Sequence, residues 1–107
     1  MVYEVEMWAF CNGAVRKVDV PLVDMKSIDD SQKDSLTLEA IFYWGQNDFQ
    51  PQDMPSVSVG DIAQLAPNSR WLCCSLGWRK LDADEYIEYI NMDKTDRILS
   101  MLVHQMP

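Results

Sequence analysis

The chain has 107 residues, with 17 acids against 9 bases and a formal charge of −8. That balance argues against a general nucleic-acid binder, because phosphate contacts need Lys and Arg. At 48% hydrophobic residues it is too apolar for disorder, yet no apolar run reaches the roughly 18 residues of a membrane span. A single domain over residues 1–107 is expected at this length. The start, Met1 to Glu6, carries two acids and no base, so it does not read as a signal peptide. Three cysteines, two of them adjacent at Cys73 and Cys74, read as reduced thiols of a cytoplasmic protein.

Residues 2–11 alternate, with Tyr3, Val5, Met7, Ala9 and Cys11 on one face and Glu4 and Glu6 on the other. This is a half-buried strand. Asn12-Gly13 is a strong signal for a two-residue hairpin turn, and residues 15–22 form the return strand with Val18, Val20 and Leu22 inward. Such a turn pairs Met7 with Val18, Val5 with Val20 and Tyr3 with Leu22, so turn and hydrophobic pattern agree. It also places Glu6 opposite Asp19, two solvated carboxylates. Residues 23–35 are polar and read as a loop with at most a helical turn.

A helix is expected from Leu36 to Gly45, capped by Ser35 or Asp34, with Leu38, Ile41 and Phe42 buried and Gly45 as the stop. Two prolines and several amides make residues 46–56 an irregular loop. A second antiparallel pair, Ile62 to Leu65 and Arg70 to Leu76, crosses at Ala66 to Ser69; residues 78–81 extend its second strand past a bulge at Gly77. Asp82 and Glu85 form a capping box for a helix whose apolar side is Tyr86, Ile87 and Ile90. Another helix starts near Asp93 or Thr95, with a wide apolar face from Ile98 to Met106. The fold expected is α+β: a mainly antiparallel sheet, built from an N-terminal hairpin and a second strand pair, packed by one central helix and two C-terminal helices.

Chemistry is sparse. The single histidine, His104, stands close to the end of the chain, near the last turn of a helix, where a cation is favourable without any catalytic duty. Adjacent cysteines lack zinc-ligand spacing and point to opposite faces of a strand. The acids Asp82, Asp84, Glu85 and Glu88 resemble any solvated helix start. No catalytic residue, metal site or cofactor is expected. Two features stand above this background. One is the aromatic and amide segment Tyr43, Trp44, Gln46, Asn47, Asp48 and Phe49, which leaves rings outside the inward stripe, as interface anchors do. The other is the wide face of the last helix, which suits either a core or a partner.

Residues 38–51, then Pro55 to Asp61, then Gly77-Trp78 resemble small uncharacterised proteins of bacteriophages and mobile elements and, more distantly, the YodL-like domain. The resemblance implies a Ser-hydrophobic-Ser-hydrophobic stretch before an antiparallel pair, and no transferable chemistry. It implies a bacterial host cell as the setting. The functional expectation is a non-enzymatic acidic protein that modulates a host protein, as an anti-defence factor or nucleic-acid mimic. In that reading Asp29, Asp30, Asp82, Asp84, Glu85 and Glu88 face a basic groove, and Tyr43, Trp44 or Phe49 anchor it. Two alternatives are assembly of copies through residues 95–106 and a small carboxylate- or metal-dependent enzyme.

Overall fold

The computed structural model describes residues 1–22, 25–97 and 99. In chain order the elements are β1 (Val2–Met7), β2 (Ala14–Asp19), α1 (Asp30–Trp44), β3 (Ile62–Ala66), β4 (Ser69–Cys74), β5 (Gly77–Leu81) and α2 (Ala83–Asn91). The strands form one antiparallel sheet in the order β2-β1-β3-β4-β5. The fold is therefore α+β with an antiparallel sheet, as the sequence pattern implies.

Adjacent strand residues face opposite ways, and here both faces are used. Val5, Met7, Val18 and Ala63 pack with Leu38 and Ile41 of α1 and with Val57. Ile62, Leu72 and Leu81 pack on the other face with Tyr89 of α2. Thus α1 and α2 lie on opposite sides of the sheet.

The first hairpin differs from expectation. Met7 stands opposite Ala14, Val5 opposite Arg16 and Tyr3 opposite Val18. Since Met7 was expected opposite Val18, the register has slid by four residues (18 − 14). An even slide leaves every side chain on its face, so Val18 and Val20 stay inward, but the return strand ends at Asp19 rather than Leu22, and Leu22, expected inward, is 87% exposed. Glu6 consequently faces Val15 rather than Asp19, so the two carboxylates do not meet. The cause is local. Asp61 takes the backbone N–H groups of Trp8 (2.8 Å) and Ala9 (2.9 Å), which ends β1 at Met7. Residues 8–13 then form the loop, closed by Gly13 N–H donating to Met7 O at 2.9 Å. At Gly13 φ is +82°, and a Cβ would stand 2.6 Å from the Trp8 ring, so the glycine serves both conformation and packing.

Helix α1 begins at Asp30, earlier than the Leu36 expected. Ser35 and Asp34 are interior residues and cap nothing; Asp29 is the N-cap position, without a side-chain capping bond. The first turns are polar on all sides and carry no apolar period, so hydrophobic spacing could not reveal them. An Asp30–Lys33 ion pair at 2.7 Å spans them. Leu38 and Ile41 are buried as expected, but Phe42 is 38% exposed. Gly45 ends the helix with φ −78°, not in the left-handed region. Its requirement is space: a Cβ would lie 2.4 Å from Val57 Cγ2 and 2.7 Å from Ile41 O.

The second strand pair forms as expected, with Ala66 opposite Ser69. Residues 77–81 do not prolong β4. They turn back as β5, with Cys74 opposite Gly77 and Cys73 opposite Trp78. Gly77, at φ +131°, supplies the conformation that this tight reversal needs. The Asp82–Glu85 capping box is formed in both directions. In α2 the buried residue is Tyr89, with Tyr86 and Ile90 beside it, while Ile87 is exposed. Residues 94–97 are helical, and Asp93 Oδ1 accepts from Asp96 N–H at 2.8 Å as its cap. Most of the expected interface 95–106, with His104, lies outside the described residues.

Candidate interaction surface

Three rings converge where α1 ends. Tyr43 and Phe49 stack with centroids 4.3 Å apart at 20°, and Trp44 meets both edge-on, at 5.1 and 5.9 Å. Tyr43 is 50% exposed and Phe49 46% exposed, while Trp44 leans on the core around α1. Consecutive helix positions place Tyr43 and Trp44 about 100° apart, so only one of them can face the core. Phe49 must then be carried back onto Tyr43 by the following loop.

Arg16 organises that loop. Its side chain is fully buried. One terminal nitrogen donates to Asn47 Oδ1 (2.8 Å) and Pro55 O (3.0 Å); the other donates to Gln50 O (2.6 Å). No carboxylate faces it among these partners, and burial lowers its pKa from the usual arginine value. Asn47 extends the bracket through Nδ2 to Met54 O (2.8 Å) and through its backbone N–H to Ser56 Oγ (2.9 Å). Gln50 pairs with both backbone groups of Asp19, accepting at 3.0 Å and donating through Nε2. Gln52 Nε2 donates to Lys17 O at 2.8 Å. The amides thereby occupy the outer edge of β2, which blocks pairing of another strand there. Gln46 Nε2 donates to Phe42 O (2.7 Å) and Val57 O (3.0 Å). Gln46 and Asn47 thus brace the surface from within, whereas Asp48 is exposed beside Phe49.

The acids expected to act together are separated. Asp29 and Asp30 open α1, and Asp82, Asp84, Glu85 and Glu88 belong to the start and body of α2, on the opposite side of the sheet. Asp82 and Glu85 are engaged in the capping box, and Glu85 also meets Arg79 at 2.5 Å. Asp84 and Glu88 are exposed.

Two further polar residues tie the fold together: Asp61, which was missed in the sequence, and Glu6, which was expected to be solvated and is instead largely buried and hydrogen-bonded. Asp61, fully buried, accepts from Trp8, Ala9 and Ser58 N–H groups; burial raises its pKa above the ordinary carboxylate value, against the pull of those bonds. Glu6 accepts from Trp8 Nε1 (3.0 Å) and from the Tyr86 hydroxyl (2.8 and 2.7 Å), joining β1 to α2. Arg70 lies over the Tyr86 ring at 4.1 Å. Burial, then Glu6, raises the Tyr86 phenol.

The two cysteines of β4 are held as thiols. Burial, with Asp61 and Cys74 nearby, pushes the Cys73 thiol up to about 12, and burial also raises Cys74. The thiolate is the reactive form. Alkylation at neutral pH should therefore label the half-buried Cys11 well before Cys73, read by peptide mass spectrometry; equal labelling would contradict this burial. Among the described residues no three His, Cys, Asp or Glu side chains are grouped to hold a metal, and no helix is long and apolar enough to cross a membrane. No family model, curated protein or solved structure matches the chain.

Proposed function

We propose that the protein is a non-enzymatic acidic binding module that docks on a partner protein through Tyr43, Trp44 and Phe49. The observation that carries this reading is the half-exposed three-ring cluster held on a braced loop. Aromatic anchors presented rigidly lose little conformational freedom on binding, and such residues dominate interface energies. The excess of acids favours a partner with a basic surface, mainly by raising the association rate. The resemblance of residues 36–80 to phage and mobile-element proteins points to a host protein as that partner, modulated in the host cytoplasm. Mimicry of nucleic acid draws less support, because the two acidic groups sit on opposite sides of the sheet.

The test is affinity purification of the tagged chain from a bacterial host, beside a variant carrying Tyr43→Ala and Phe49→Ala. A stoichiometric partner held by the parent should drop at least about tenfold with the variant, a loss of about 1.4 kcal/mol or more. Added salt should slow its capture. Equal recovery on both proteins, with unchanged far-ultraviolet dichroism, would sink the aromatic reading.

A further inference from the structure

An apolar groove of about 480 Å³ lies between α1 and the end of β2, lined among others by Tyr3, Val20, Leu22, Ile28, Leu36 and Ala40. Its size falls within the roughly 300–1,000 Å³ typical of sites that enclose ligands. The two features share one flank of α1. Leu36, Ala40 and Tyr43 recur at helical spacing, as do Ala40 and Trp44, so each pair lies on one side. They share a second border too: Gln50, next to Phe49, pairs with the backbone of Asp19, and Val20 follows in the groove wall.

Charge decides what such a strip accepts. From Asp34 to Ser69 the chain has five acids and no lysine or arginine. Asp34, Glu39, Asp48 and Asp53 lie along the surface of this stretch, and Asp61 is buried. Bases on the border are largely engaged. Arg16 is buried against carbonyls, Lys33 is paired with Asp30, and the Met1 ammonium at the groove wall donates to Val20 O at 2.7 Å and meets Asp19 at 3.4 Å; Lys26 stands beyond Met25 at the far end. The Tyr43–Phe49 stack thus offers half-exposed rings in a negative surround, the setting in which a planar guanidinium stacks and a compact ammonium does so less well.

Resting on the reading of the cluster as a docking surface, we infer that cluster and groove are one continuous strip for an arginine-bearing segment of a partner protein. The segment seats an aliphatic side chain in the groove and lays its guanidinium on the Tyr43–Phe49 stack. Leu36 and Tyr43 are about 10 Å apart along the helix axis, which a peptide in the polyproline II conformation covers in about one three-residue turn, with both side chains on the same side.

The probe is therefore a fluorescein-labelled, serine-flanked peptide containing Leu-Ser-Ser-Arg, titrated into the full chain by fluorescence anisotropy. Its controls carry lysine or citrulline for arginine, and serine for leucine. Binding should saturate and weaken about tenfold with each control. Y43A/F49A should abolish the preference for arginine. L22S/L36S, at two exposed positions that leave the core intact, should abolish the preference for leucine. Absence of saturation, or equal affinity for all four peptides, overturns the inference. The two readings fail separately: a captured partner that needs Tyr43 and Phe49 but ignores L22S/L36S overturns the strip and leaves the aromatic surface standing.

Discussion

Arg16→Met is expected to destabilise the chain by about 2–4 kcal/mol, a fall of about 10–25 °C in Tm for a chain of this length. Methionine keeps much of the apolar stem in place, so the loss falls on the guanidinium. Three acceptors lose their charged donor: Asn47 Oδ1, Pro55 O and Gln50 O. Asn47 Oδ1 keeps the Gln52 N–H at 3.2 Å, so the burden falls on the two carbonyls. An unsatisfied buried acceptor costs about 1–3 kcal/mol. One effect runs the other way, since a buried cation without a carboxylate is itself costly, and this keeps the figure below the sum of three charged hydrogen bonds. Arg16→Lys should recover only part of the loss, because one ammonium cannot span acceptors on both sides of the guanidinium fork. Urea unfolding with an unchanged m value checks both variants. A cost below about 1 kcal/mol for the methionine variant would mean that water replaces the guanidinium and that the loop is braced by Asn47 and the glutamines alone.

The same residue shows how far the sequence could be read. Arg16 shares strand parity with Val18 and Val20, so alternation alone places it on the inward face; its charge makes it look like the strand's solvated start. A cation in phase with buried valines was the available signal. The Asn12-Gly13 turn failed for a related reason. Local turn chemistry was sound, but Asp61, more than fifty residues away, captures Trp8 and Ala9 and stops the ladder early. Long-range capture of backbone groups leaves no trace in periodicity. Helix α1 was legible where Leu38 and Ile41 set an apolar period and invisible from Asp30 to Ser35, where nothing is buried. The aromatic segment, by contrast, was legible as an outward feature because its rings exceeded what one inward stripe can hold. What composition could not supply was the stacking of Phe49 on Tyr43, which depends on the Arg16 bracket.

Asp61 should yield the other large effect. Asp61→Ala strands the N–H groups of Trp8, Ala9 and Ser58 around a fully buried site, and a loss of about 3–5 kcal/mol is expected from three unsatisfied donors. Against a typical total of about 5–15 kcal/mol, that variant stands near unfolding at ordinary temperature. Asp61→Asn separates shape from charge. Its amide oxygen can still serve Trp8 and Ala9, while its NH₂ meets the Ser58 N–H donor to donor, so about 1–3 kcal/mol should go. The pH dependence then distinguishes the carboxylate from a neutral acceptor. Burial holds the folded pKa of Asp61 above its unfolded value near 3.8. A raised acid contributes stability that is present below the unfolded pKa and is lost as pH rises through the folded one. The amide in D61N cannot titrate, so the gap between parent and variant should be wider near pH 3.8 than at neutral pH, with the change falling in the window from 3.8 upward. Denaturant midpoints of the two proteins, measured in parallel at each pH, cancel the contributions of the other carboxylates. A gap that narrows on acidification would mean that the three N–H bonds outweigh burial and that Asp61 is held ionised by the backbone segments it joins.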